Sequence, residues 1–300
     1  MQLEDINICL ACDNNYAKYA GVVITSILKN LNPNKNVKFF ILHDNLAEDV
    51  IYKFDLLKHI YPCSIEFIKI NNDMYQDYMN IKTNKYLSIA TYYRLKIASL
   101  LLNIDKVLYL DCDIVVNDDI SKLYQINIDN YVLAGVEDIC AKFNGYINAG
   151  VIIFNLKKMR EDGIEECLLS WTRENAANIG CGDQDIINFA CKDNILVIND
   201  KSWNVQSSEF YKRSVYTKNP KLIHYIGKYK PWLKYSLCYY KDFYIKYLQM
   251  SPWAMSSKDY ALYKLFDEPI SLIRYIRHRP FIFFTKNFYK AIIKSYFMAD

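Results

Sequence analysis

Asp111 and Asp113 stand two positions apart, directly after the apolar run 107–110. In extended chain, i and i+2 point to the same side, so two carboxylates at a strand end can hold one hard divalent cation, directly or through water. The same pattern suits an acidic strand-to-loop turn, where Asp is common. Cys112 between them reads as a small, inward-facing hydrophobe. His224, in Leu222-Ile223-His224-Tyr225, is the best third ligand, although a lone histidine on a strand is more often a satisfied core residue. In its favour, Gly227-Lys228-Tyr229-Lys230-Pro231-Trp232 follows: glycine lets backbone approach a ligand, and two lysines can meet phosphate charge. Imidazole, carboxylates and diphosphate oxygens together suit Mn²⁺ or Mg²⁺. His43, His59 and His278 lack comparable neighbours.

These residues need elements that bring strand ends together. Ile6–Ala11, Val37–His43, residues 64–70 and Lys106–Leu110 read as strands. Residues 19–31 carry apolar side chains at helical spacing, with Asn32-Pro33 as a stop. Asn45 with Glu48 reads as an N-cap and its capping-box acid, opening a helix to about residue 60. Residues 91–102, 164–174 and 183–191 read as helices, and 132–136 and 148–155 as strands. This alternation predicts an α/β fold: a mostly parallel sheet flanked by helices, with ligands bound at the carboxyl ends of its strands. The character shifts near residue 250, where short basic and aromatic helices take over. The expected division is a catalytic domain over 1–250 and a helical segment over 251–300.

Three hundred residues, 52% apolar and 23% charged, suffice for a full core. No apolar run approaches the roughly 18 residues of a spanning helix, and the first residues lack the pattern of a signal peptide. Secretion and a membrane anchor are therefore not expected, and nine cysteines read as thiols of a reducing compartment. Residues 1–200 hold 19 Lys/Arg against 27 Asp/Glu, and residues 201–300 hold 18 against 6. Only the latter part could face phosphates, nucleic acid or an anionic membrane. P-loop, G-x-G-x-x-G and G-x-S-x-G motifs are absent. Cys9-x-x-Cys12 has redox spacing but lies in and just after the first strand, away from a helix start, which disfavours that role.

Six stretches occur in order: Ala11-Cys12-Asp13-Asn14-Asn15-Tyr16, Thr91-Tyr92-Tyr93-Arg94, Leu108-Tyr109-Leu110-Asp111-Cys112-Asp113, Asn148 to Asn155, Gly182-Asp183-Gln184-Asp185, and His224 to Trp232. Together they resemble glycosyltransferase family eight over residues 6–232. Within it they are similar to bacterial galactosyl- and glucosyltransferases that build lipopolysaccharide or lipooligosaccharide, with glycogenin a more distant relative. The resemblance implies a GT-A-type, Rossmann-like fold, a Mn²⁺-dependent reaction and retention of anomeric configuration. It implies that Asp13 binds uracil, with Asn15 and Tyr16 holding base and ribose and Ala11 and Cys112 beside them. Asp111, Asp113 and His224 would be the metal ligands, Asp111 also lying near ribose or sugar. Arg94, Asn148 and Asp183 would meet the donor sugar, Asp138 an acceptor or sugar, and Gly227, Lys228 and Lys230 the diphosphate.

Retention needs a carboxylate nucleophile or front-face attack assisted by the leaving phosphate. Gln184 matches the family's β-face position; an amide is a poor nucleophile, so its carbonyl is expected to stabilise developing positive charge. Asp185 is the nearest carboxylate, and it also suits a helix N-terminal charge. Residues 271–300 hold six Lys/Arg, one acid and eight aromatics, which suits docking on an anionic membrane surface; a basic helix packed on the core is the alternative. Nucleic acid is not expected, since acidic strand ends share the molecule. The combined expectation is a cytoplasmic, peripheral-membrane enzyme moving galactose or glucose from a UDP-hexose to a glycan or glycolipid acceptor. The competing readings are a sugar-nucleotide nucleotidyltransferase and a non-catalytic nucleotide-sugar sensor or scaffold.

Overall fold

A computed structural model of the chain describes residues 5–79, 88–207, 217, 219–234, 236 and 238–267. Strand β1 (Ile6–Ala11) is buried on both faces: Ile6, Ile8 and Leu10 pack on one side and Cys9 on the other. Two-sided burial accounts for its apolar run, as expected of a central parallel strand. The further strands are β2 (Val37–His43), β3 (Ser64–Lys69), β4 (Lys106–Leu110), β5 (Ile114–Val116), β6 (Leu133–Glu137), β7 (Ile147–Asn155), β8 (Ile195–Val197), β9 (Val205–Gln206) and β10 (Leu222–His224).

Seven strands form one sheet in the order β3-β2-β1-β4-β7-β6-β8. Only β7 runs against its neighbours; the other pairings are parallel. The predicted mostly parallel α/β sheet is therefore what forms. From β1 the order runs outward through β2 on one side and β4 on the other, which opens a crevice at the carboxyl ends of β1 and β4. A small second sheet, β5-β10-β9, was not anticipated. Its strands are only two or three residues long, too short for a periodic signal.

The helix Ala17–Asn30 buries ten residues and ends where Leu31 turns extended, ahead of Asn32-Pro33. The expected cap at Asn45 is not used. The helix Glu48–Asp55 follows Ala47, which makes no side-chain cap. Instead Asn14, in the loop after β1, accepts from the Ala47 N–H (2.8 Å) and donates to the Asn45 carbonyl (2.8 Å). The expected helix over 91–102 is likewise altered. Ile89–Lys96 winds as a 3₁₀ helix and only Ile97–Leu100 as an α-helix. Tyr92, Tyr93, Arg94 and Leu95 are buried in succession, so the segment lacks the one-sided stripe of an amphipathic helix.

The helix Lys241–Gln249 packs Tyr244, Tyr247 and Leu248 against Val22, Val115, Ile223 and Tyr225. The chain up to this point thus shares the core that supports the small sheet. A short helix, Ser257–Leu262, follows. Residues 271–300 lie outside the described residues. Among the described residues, no helix is long and apolar enough to cross a membrane.

Candidate active site

Asp111 leaves the end of β4 with its N–H donated to the Gly150 carbonyl on β7 (2.9 Å). β5 begins directly after Asp113 and pairs antiparallel with β10, which sets His224 opposite Ile114. The small sheet thereby carries the histidine to the carboxylates. His224 Nε2 lies 3.1 Å from Asp113 Oδ1 and 3.8 Å from Asp111 Oδ2. Ligand atoms of the three residues lie within 4.8 Å of one another. Asp113 Oδ1 is buried without a hydrogen-bond partner. Lone pairs converging on one point repel unless a cation stands between them, and this donor set fits a hard divalent ion.

Gly150 keeps that space open. A Cβ there would come within 2.2 Å of His224 Cε1 and 2.7 Å of Asp111 Oδ2. The sequence contained the signal, a glycine inside an apolar strand, but gave no reason to place it against the histidine.

Arg94 joins this cluster to the far end of the cavity. Its guanidinium is buried, donates to Asp111 Oδ1 (2.7 Å) and lies 3.0 Å from Asp183 Oδ2. It also donates to the Thr91 and Ala149 carbonyls and lies over the Tyr109 ring, 4.2 Å from its centre. Burial opposes the charge, but Asp111 and then Asp183 raise the arginine's pKa above its usual value. Burial also pushes the Asp183 carboxyl up to about 6, against the pull of Arg94. Asp183 Oδ2 is a buried acceptor without an aligned donor.

Gln184 lines the cavity, but its carbonyl is turned toward β7. It accepts from the Ala149 N–H (3.0 Å) and Asn148 Nδ2 (3.3 Å). The carbonyl expected to stabilise developing positive charge is thus already engaged by β7. Asn148 is fixed in turn: its Nδ2 donates to Asp138 Oδ2 (2.8 Å), and its Oδ1 accepts from Asn204 Nδ2 (3.0 Å) and the Gly150 N–H (3.1 Å).

At the other end, Asp13 opens the first helix by accepting from the Tyr16 N–H (2.8 Å). Tyr16 is 43% exposed, edge-on to Tyr19 and Trp232. Trp232 stacks on Tyr19 with centroids 3.7 Å apart, so it pins the segment 227–232 to the first helix. Gly227 has φ +72, a turn conformation that other residues adopt at a cost. Lys230 Nζ donates to Asp113 Oδ2 and to the Tyr225 carbonyl. Burial works against the Asp113 charge, but Lys230 and then His224 hold its carboxyl well below the usual range.

A cavity of about 700 Å³ spans these groups. Its wall brings together Ala11, Asp13, Tyr16, Arg94, Asp111, Cys112, Asp113, Asn148, Asp183, Gln184, His224, Gly227, Lys228 and Lys230. Cys112 is both buried and lining, with its Sγ donating to the Ala11 carbonyl (3.2 Å). Three expected residues stand outside the wall. Asn15 is exposed in the loop after β1. Asp138 lies behind Asn148, which it bonds, and reaches the cavity only through that amide. Asp185 faces away: its oxygens accept from Lys142 Nζ (2.6 and 2.7 Å), Tyr146 Oη (2.6 Å) and the Gly180 and Cys181 N–H groups (2.8 and 2.7 Å). Burial raises its pKa, but Lys142 and Tyr146 outweigh that and lower it. Lys142, Tyr146, Asn204 and Asn188 were all missed, because isolated polar residues carry no spacing signal.

The description of glycosyl transferase family 8 matches residues 7–236. A putative glycosyltransferase of Haemophilus influenzae is 30% identical, covering 77% of this chain and 74% of that one. The lipopolysaccharide 1,2-glucosyltransferase of Escherichia coli is 30% identical, covering 83% and 79%. The galactosyltransferase LgtC, solved with donor and acceptor sugar analogues, superposes with a TM-score of 0.72 at 24% identity, covering 85% and 98%. That likeness concerns the fold, which is of the GT-A type. With its Asp111–Asp113–His224 cluster at the strand ends and a family match over more than three-quarters of its length, the chain belongs to glycosyl transferase family 8.

Proposed function

We propose that the chain transfers galactose or glucose from a UDP-hexose to a glycan acceptor, with retention of configuration and the help of Mn²⁺, or Mg²⁺ in its place. The observation that carries this reading is one cavity whose wall holds an Asp-Asp-His cluster together with Asp13, Tyr16 and the Arg94–Asp183 pair. Asp111, Asp113 and His224 would hold the ion, whose charge would stabilise the departing diphosphate. Lys230 and Lys228 would meet the same phosphates, and Asp13 the base. Arg94, Asp183 and Asn148 would orient the hexose. Gln184, fixed by Asn148 and Ala149, would present its amide to the reacting face. Asp185 is saturated by its own partners, which favours front-face displacement over a covalent glycosyl intermediate.

Relatives that act on lipopolysaccharide support a lipopolysaccharide, lipooligosaccharide or other surface-polysaccharide acceptor. The same reading places the enzyme in the cytoplasm at the inner face of the membrane. Residues 1–250 form the catalytic domain and 251–300 an appended segment, whose part 271–300 would dock on anionic lipid through six Lys/Arg and eight aromatics. The decisive experiment incubates the protein with a panel of UDP-sugars and Mn²⁺ and detects released UDP. Release with one hexose, abolished by a chelator, supports the reading. Pyrophosphate-linked chemistry would favour a nucleotidyltransferase, and binding without release a sensor. Deleting 280–300 should free the protein from anionic vesicles while leaving UDP-sugar hydrolysis close to that of the full chain.

A further inference from the structure

Lys230 occupies a position with two possible uses. Its ammonium is bonded to Asp113 Oδ2, a carboxylate of the metal-ligand cluster, and to the Tyr225 carbonyl (2.6 Å). Asp113 shows the same cluster its other oxygen, 3.1 Å from His224 Nε2. Arg94 does the like for Asp111 (2.7 Å). Each carboxylate of the ligand pair is therefore already matched by a cation of the chain itself. A metal entering alone meets a site whose attraction for positive charge is reduced by the chain's own side chains.

The two cations differ in freedom. Arg94 is buried, with further bonds to Thr91 and Ala149 and a ring beneath it. Lys230 stands on a long flexible stem in the cavity wall. Its backbone is held near the first helix through Trp232, stacked on Tyr19. Rotation of the side chain is therefore enough to take the ammonium from Asp113 to an anion in the cavity.

We infer that Lys230 is a resident stand-in for the metal: its ammonium occupies Asp113 until a diphosphate draws it away and leaves that carboxylate to the ion. This rests on the metal-assisted reading above and adds an order of events to it. Metal and nucleotide then bind as a coupled pair, and the nucleotide raises metal affinity by the same factor as the metal raises nucleotide affinity. A cavity without donor retains its metal poorly, so the cation is recruited with the diphosphate it must neutralise.

The test measures Mn²⁺ binding to the full-length protein by the free-ion electron paramagnetic resonance signal, without and with UDP. In Lys230→Met, nucleotide-free affinity for Mn²⁺ should rise on the order of tenfold, within the usual 5–150-fold range of site coupling. The gain in Mn²⁺ affinity on adding UDP should shrink by a similar factor. Lys230→Gln should behave alike, and Lys122→Met, which removes a distant surface charge, should leave Mn²⁺ binding unchanged. The wild type offers a check independent of folding in any variant: acetylation of the Lys230 amine, read by mass spectrometry, should quicken when saturating Mn²⁺ is added without UDP. Equal or weaker nucleotide-free Mn²⁺ binding in both folded variants would overturn the inference, as would an acetylation rate indifferent to Mn²⁺. If wild type bound no Mn²⁺ even with saturating UDP, the metal-assisted reading itself would fall. UDP-dependent binding in wild type with no gain in the variants would remove only the role of Lys230.

Discussion

Asp183 and Asp185 stand two residues apart on the helix Asp183–Ala190 and serve opposite sides of it. The cavity side holds Asp183, whose buried Oδ2 has no aligned donor, and Gln184. The packed side holds Asp185, which receives bonds from Lys142, Tyr146 and two backbone N–H groups. Asn188 works with it: its amide accepts from the Ile147 N–H (2.7 Å) and donates to the carbonyls of Ile147 and Gln184 (2.8 Å each). Asn188 thus pairs with the start of β7 much as another strand would. Satisfied polar groups hold the helix on its packed side, whereas Asp183 Oδ2 on the cavity side has no aligned donor. The difference separates positioning from chemistry more cleanly than residue type does, since both sides use aspartate.

The contrast can be broken at either side. The largest effect belongs to the cavity. Asp113→Ala removes a proposed metal ligand, and metal assistance is worth several kcal/mol, so kcat should fall on the order of 10²–10⁴-fold in a protein that still folds. A variant keeping half its activity in saturating Mn²⁺ would remove Asp113 from the site. On the packed side, Asn188→Ala strands a buried N–H and C=O on Ile147, at about 1–3 kcal/mol for each unsatisfied group. Calorimetry should show a fall of roughly 2–4 °C per kcal/mol, whereas kcat per folded molecule should stay within about tenfold. A collapse of kcat without a change in melting would merge the two sides.

Asp185→Asn sharpens the contrast. It should cost about 1–3 kcal/mol of stability and a smaller loss in rate, and the product should keep its configuration. Mass spectrometry of wild type under turnover should find no glycosyl adduct on Asp185; an adduct there would make the packed side chemical. The smallest effect is on pH dependence. Asp183, pushed up to about 6, holds a proton in the fold that the unfolded chain has released, so stability falls as pH rises from about 4 to 6. Asp185, with its lowered pKa, contributes stability above the ordinary carboxylate range, and it is lost as pH falls. The melting difference of Asp183→Asn from wild type should therefore move in favour of Asn as pH rises, by on the order of 1 kcal/mol. That of Asp185→Asn should move against it, and parallel curves would refute the assigned environments.

The sequence reading was most successful where one periodicity governed. β1, β2 and β4 have the expected bounds because each is a single buried run ending in polar chain. It missed wherever the third dimension decided. In the 3₁₀ segment four consecutive residues around Arg94 are buried, so no single face could be read. The cap assigned to Asn45 is supplied by Asn14, more than thirty residues earlier. Asp111, Asp113 and His224 could be nominated from side-chain chemistry, but Gly150 could not, because its value is the space it leaves beside His224. The partners of Asp185 come from two separate stretches of chain, and nothing local in Lys142 or Tyr146 announces them.

Pairing of β10 with β5 has a consequence for the order in which the protein is made. The strand carrying His224 closes onto Ile114 only after the intervening sheet strands and helices have been synthesised, and Asp113 must wait for Lys230, 117 positions later. Contacts of such separation bear a loop-closure cost that local contacts do not, and they form late. A nascent chain emerging amino end first already displays Asp13, Asp111 and Asp113, yet it lacks the histidine and the lysine that complete the cluster. Incomplete chains therefore hold only part of the cluster, which is whole once the small sheet closes.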